Sequence, residues 1–189
     1  MISSSEGTSS SEGRSGQLGF SGRLKLLILT AGGLGLAPIM PGTFGTLAGI
    51  PITLGLEPLL GSSLGGWPYA LTLLGLVLCM IGVGVGLGRW AEGYFGQKDA
   101  GAIVLDEVAG YLVTIAICVL VHGRHPGLLG HICAFVLFRV VDITKPWPGK
   151  MCERAPAGLG VMLDDVVLAL YSGGALSLLA LVFPEELLW

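Results

Sequence analysis

GAIVLDEVAGYLVTIAICVLV, residues 101–121, reads as a membrane-spanning helix that carries two acids where lipid should be. From Val108 to Val121 no residue is charged, yet Asp106 and Glu107 stand side by side between Leu105 and Val108. A carboxylate at the centre of a spanning helix costs about 2.5–3.5 kcal/mol on insertion scales, so a pair requires something that offsets it.

The composition sets the solvent. The 189 residues are 52% hydrophobic and only 12% charged, whereas soluble domains carry roughly 25% charged residues. A net charge of −3 without any run of Lys and Arg excludes a nucleic-acid partner. Cys79, Cys118, Cys133 and Cys152 lie far apart, with no zinc or redox spacing. Residues 1–22 are Ser/Gly-rich and lack an apolar block, which predicts a disordered tail rather than a signal peptide. A single helical membrane domain is expected over 23–189.

Apolar segments fall at 43–60, 67–88, 102–121, 127–143 and 162–183. A hydrocarbon core of about 30 Å takes ~20 helical residues to cross. The first segment is interrupted by Pro51 and Glu57 and reads as broken or partly inserted; the fourth is short. The fold class is therefore all-α: a multi-pass integral membrane helical bundle of about four to five membrane segments, without a sheet. Gly82, Gly84, Gly86 and Gly88, and likewise Gly45 and Gly49, form small-residue faces. Such faces suit close helix packing, within the chain or in a homo-oligomer.

If all five segments cross, Arg23, Lys25, Arg89, Lys98, Lys145, Lys150 and Arg154 gather on one side. The other side holds the uncharged turn near Gly61–Gly66, Arg124, and the acidic end with Glu185 and Glu186. The positive-inside rule makes the first side cytoplasmic. Asp106 and Glu107 then lie in the cytoplasmic half of the third segment, Asp142 at the cytoplasmic end of the fourth, and Asp164 and Asp165 where the fifth begins. The turn LAPIMPGTFGT, residues 36–46, lies on the same side. Acids from three segments converge on one membrane face.

Clustered, buried carboxylates need protons or cations. Mg²⁺ takes oxygen ligands and commonly sits between one or two carboxylates and a substrate phosphate. Arg139 and Lys145 flank Asp142 at spacings of three, suited to meet a phosphate as a planar fork and a point charge. Pro146 disfavours helix at Lys145, so the fourth helix should stop there. Thr43 offers a hydroxyl, and Gly42 to Gly45 offer backbone N–H groups just ahead of a helix, a ready anion site. Metal ligands, phosphate-binding turn and cations at headgroup level point to phosphomonoester hydrolysis or phosphoryl transfer.

Each residue also has a plainer reading. Asp164 and Asp165 suit a helix start, Asp106 and Glu107 a solvated first turn, Asp142 an ion pair with Arg139, and Thr43 a helix cap. Glu92, Lys98 and Asp99 read as a solvated loop, Glu57 as interfacial, and His122, His125 and His131 as non-ligands.

The blocks APIMPGTFGTLAG, GAIVLDEVAGYLVT and FRVVDITKPWPGKMCERAPAGLGVMLDDVVLALYSG, in that order, resemble the bacterial phosphatidylglycerophosphatase A family. The resemblance covers roughly residues 24–184; alanine stands at Ala157, where the family usually has glycine. It implies an Mg²⁺-dependent phosphatase of the bacterial cytoplasmic (inner) membrane that converts phosphatidylglycerophosphate to phosphatidylglycerol. The implied acidic site residues are Asp106, Glu107, Asp142, Asp164 and Asp165, with Arg139, Lys145 and Thr43 on the phosphate side. Two other classes compete. A cation- or proton-coupled transporter would use acids spread in depth across the bilayer, and a non-catalytic assembly subunit would leave the acids unexplained.

Overall fold

A computed structural model describes residues 18–64, 66–152, 155, 157–183 and 188–189. Arg154, Glu185, Glu186 and the side chain of Lys150, all used in the orientation argument, lie outside this part, as does most of the tail predicted over 1–22. The helices are α1 Phe20–Leu29, α2 Pro41–Leu64, α3 Gly66–Phe95, α4 Leu105–His122, α5 Leu128–Thr144, the single turn α6 Gly149–Cys152, and α7 Ala157–Val182. A 3-10 turn, Leu34–Leu36, precedes α2. Among the described residues there is no strand. The chain is an all-α, multi-pass helical bundle, and α1 begins slightly ahead of the expected boundary at Arg23.

By length and composition α2, α3, α4 and α7 can each cross a bilayer. The first segment is not broken: α2 runs on as one helix with Pro51 and Pro58 inside it. An interior proline costs a soluble helix ~3 kcal/mol. Membrane helices tolerate it because neighbouring groups satisfy the freed backbone. The uncharged connection expected near 61–66 is short, since α2 reaches Leu64 and α3 starts at Gly66. The expected fourth segment is α5, whose 17 residues fall short of the other four.

The most buried helix is α4: 72% of its spanning window is buried, against 22% for α2 and for α3. It packs against α2, α3, α5 and α7. Leu71 and Leu78 on α3, with Leu170, Leu178 and Leu181 on α7, point outward and expose more than half their surface. Large apolar side chains facing outward along crossing helices are the arrangement a lipid solvent selects. Polar contacts between helices tie the bundle internally. Thr114 Oγ1 and Ser172 Oγ lie 2.7 Å apart between α4 and α7. Tyr111 Oη and His131 Nδ1 are 2.7 Å apart between α4 and α5. The Tyr69 hydroxyl donates to the Thr53 carbonyl at 3.0 Å between α3 and α2. In a membrane such bonds are each worth ~0.6–2 kcal/mol.

The glycine face expected on α3 divides in two. A Cβ on Gly158 of α7 would strike the Gly84 carbonyl, and one on Gly84 would meet the Met162 side chain, so this half is used inside the bundle. Gly82 and Gly86 have nothing within 4 Å. Gly45 and Gly49 of α2 lie against Val104 and Tyr111. Helix α5 returns along α4: Gly127 N–H donates to the Leu188 carbonyl at one end, while Arg139 and Asp142 come back to the level where α4 begins.

Candidate active site

The site is assembled where four helix segments meet. Helix α4 starts at Leu105, later than the segment boundary at 102, so Asp106 and Glu107 occupy its first turn. There the unpaired N–H groups and the helix dipole favour negative charge. They are not solvated, however: Asp106 is only 6% exposed, with Ile103, Val104 and Leu105 buried before it. The solvated-first-turn reading is thus half right in position and wrong in environment.

For Asp164 and Asp165 the helix-start reading fails. Helix α7 begins at Ala157 and has no acid in its first turn; both aspartates lie further in, each 3% exposed. The Asp165 N–H donates to Asp164 Oδ1 at 3.0 Å. Asp165 sits among Asp106, Asp142 and Asp164 closely enough for their charges to act on it. Asp106, Glu107 and Asp165 each present a carboxylate oxygen within 4.8 Å of the other two.

Helix α5 supplies the cations. It stops at Thr144, and Lys145 caps it in a left-handed conformation with φ 41°. That conformation costs a residue with a side chain about 1–2 kcal/mol. The turn brings Lys145 Nζ to 2.8 Å from Asp164 Oδ2 on α7. One turn back, Arg139 Nη1 pairs with Asp142 Oδ2 at 2.7 Å, so the ion pair weighed for Asp142 is present. Arg139 also acts electrostatically on Glu107.

Helix α2 closes the site. The expected phosphate-binding turn is the helix's own first turns, since α2 already begins at Pro41, a position where proline's missing N–H costs nothing. Gly42 is pressed on Glu107 and Arg139: a Cβ there would collide with Glu107 Oε1 and stand 3.1 and 3.2 Å from Arg139 Nη1 and Nη2. Thr43 Oγ1 is buried without a hydrogen-bond partner, which removes the capping role for its side chain.

The acidic trio suits a hard divalent cation. Asp106 Oδ1 and Glu107 Oε2 are buried and unpartnered, and the cluster offers only carboxylate oxygens, the donor type such ions take. An unsatisfied buried carboxylate oxygen is costly, and a bound cation supplies what it lacks.

Two features escaped the sequence reading. Asp99, assigned to a solvated loop, is exposed but near enough to act on Asp106 and Asp164. Lys98 of the same loop donates to the Ala155 carbonyl at 2.6 Å, tying the α3–α4 loop to the segment before α7. Thr46, fully buried, contacts Arg139; its spacing of three from Thr43 along α2 was the available signal.

Fold and site together describe a multi-pass helical bundle, with four helices able to cross a membrane, that gathers a carboxylate trio able to hold a cation. A protein-family model described as "Phosphatidylglycerophosphatase A" matches residues 27–180. The chain belongs to the phosphatidylglycerophosphatase A family and is a membrane lipid phosphatase. It is 32% identical over 163 residues to "Phosphatidylglycerophosphatase A" of Escherichia coli (strain K12), covering 86% of this chain and 87% of that protein. It is 34% identical over 149 residues to the protein of the same name from Haemophilus influenzae, covering 77% and 82%. A "Putative phosphatidylinositol-3-phosphatase" of Bacteroides thetaiotaomicron is 34% identical over 149 residues, covering 79% and 89%. No solved structure matches the chain.

Proposed function

We propose that the chain hydrolyses the terminal phosphate of phosphatidylglycerophosphate to give phosphatidylglycerol, with Mg²⁺, at the cytoplasmic face of a bacterial inner membrane. The observation that carries the metal part of this reading is the trio Asp106, Glu107 and Asp165, with two buried carboxylate oxygens lacking partners. Two relatives bear the matching name over most of their length, which supports the substrate.

In this reading Asp106, Glu107 and Asp165 hold Mg²⁺. When bound, Mg²⁺ supplies charge neutralisation for the phosphomonoester and a water of lowered pKa. Arg139 receives the phosphoryl oxygens on its planar fork, and Lys145 adds a point charge. Asp142 and Asp164 fix those cations through their 2.7 and 2.8 Å pairs. The Thr43 hydroxyl, buried and otherwise unpartnered, donates to a phosphoryl oxygen, with the Gly42 backbone beside it. Fixed donors aimed at charge that develops on phosphoryl oxygens accelerate the step without reorganising. The cluster's position at one end of the bundle, rather than along its depth, favours this over an ion path.

Purified protein in detergent, given phosphatidylglycerophosphate, is expected to release phosphate with Mg²⁺ and to stop with chelator. No metal-dependent release by a folded sample would overturn the reading. The Bacteroides relative's name motivates a second substrate in the same assay, phosphatidylinositol 3-phosphate, expected to turn over more slowly. Faster turnover of that lipid would reassign the headgroup.

The orientation rests on Arg23, Lys25, Arg89, Lys98 and Lys145 lying on the site's side. Single cysteines at the exposed positions 97, in the α3–α4 loop, and 124, in a background without the native four, test it with an impermeant thiol reagent. Position 124 should label in intact cells and 97 only in inverted vesicles. Labelling of 97 from outside would reverse the topology.

A further inference from the structure

We infer that Thr46 is a positioning residue, holding the Arg139 guanidinium by one nitrogen so that its Nε edge is left for the substrate phosphoryl group. This rests on the phosphatase reading above. Thr46 is fully buried on α2, one turn after Gly42. Its hydroxyl donates to the Gly42 carbonyl at 3.0 Å. With its proton committed there, the oxygen has only lone pairs to offer elsewhere. Arg139 Nη1 lies 3.4 Å from that oxygen and 2.7 Å from Asp142 Oδ2. One guanidinium nitrogen is thus held from two helices, by α2 through Thr46 and by α5 through Asp142.

The Nε donor is left for another partner. Arg139 Nε is buried with no hydrogen-bond partner, and a buried donor on a charged group is costly to leave unmet. A tetrahedral phosphoryl group offers the acceptor oxygens that such an edge takes. Gly42 makes the arrangement sterically allowed, since a Cβ there would press on both Nη1 and Nη2.

The same helix contains a matched comparison. Thr53 is also fully buried, and its hydroxyl donates backward to the Gly49 and Ile50 carbonyls at 3.3 and 2.8 Å. A hydroxyl bonded back along its own helix is therefore a local habit of α2. Thr46 differs in also accepting from a site cation.

The test compares Thr46→Val, Thr46→Ser and Thr53→Val in detergent with Mg²⁺. Orthophosphate binding is measured by calorimetry, and kcat, KM and melting temperature are measured alongside. Thr46→Val is expected to weaken orthophosphate binding by about tenfold and to lower kcat/KM at least as much, consistent with one displaced charge-assisted contact. Thr46→Ser should restore both, and Thr53→Val should leave both unchanged even if its melting temperature falls. If Thr46→Val binds orthophosphate like the wild type, or if the wild type binds none, the assignment is overturned. A loss in Thr46→Val that tracks only its melting temperature, unrescued by serine, would also overturn it by reducing Thr46 to a packing residue. A wild type that binds orthophosphate but releases none from phosphatidylglycerophosphate would instead overturn the substrate reading, and leave the Thr46 comparison decided by the titration.

Discussion

Replacing Asp165 by Asn is expected to lower Mg²⁺-dependent phosphate release by about a thousandfold, the loss of about 4 kcal/mol of transition-state stabilisation. The exchange keeps the shape of the side chain and removes one of three carboxylates lying within 4.8 Å of each other. It also makes an opposite prediction for stability. Asp165 stands among Asp106, Asp142 and Asp164, which repel it. In chelator, the Asn variant should therefore melt at a higher temperature than the wild type. Added Mg²⁺ should stabilise the wild type and do less for the variant, because only a native state with an intact site gains from binding. A carboxylate kept for structure would behave differently: its removal would lower the melting temperature in chelator, and activity would fall only with folding. Residues held at a functional site against their own stability give this signature.

Gly42→Ala is expected to cost about a hundredfold in kcat/KM, although the change adds a single methyl group. The new Cβ would collide with Glu107 Oε1 and stand 3.1 and 3.2 Å from the two Arg139 terminal nitrogens. Either the acid or the fork must move, and a displacement of about 1 Å at a reacting group costs roughly that factor. Gly82→Ala is the control. That glycine has nothing within 4 Å, so activity should be unchanged, and the helix gains up to ~1 kcal/mol of intrinsic preference. Equal activity in the two alanine variants would show that Gly42 does not set the site's geometry.

Much of this protein was legible in its residues because lipid permits few solutions. Long uncharged runs in a chain that is 12% charged leave helices as the outcome, since no other open structure satisfies its backbone in hydrocarbon. The acids were legible for the same reason: in apolar runs a carboxylate stands out against its cost. Reading Pro51 as a break in α2 failed because proline's effect depends on neighbours that only the packed bundle supplies. Placing Asp164 and Asp165 at a helix start failed because α7 begins at Ala157, before the apolar run that marks a span.

By itself, then, the sequence determined an all-α membrane bundle, the acids Asp106, Glu107, Asp142, Asp164 and Asp165, and their gathering toward one end, because hydropathy and charge are properties of single residues and short runs. The tertiary structure decided which atoms meet. It brought Asp106, Glu107 and Asp165 together as a trio, while Asp142 and Asp164 pair with Arg139 and Lys145. It also set Gly42 and Thr46 of α2 against an arginine on α5. Those partners come from helices far apart in the chain, and their register is fixed by which side chains fit between packed helices. No local pattern carries that information.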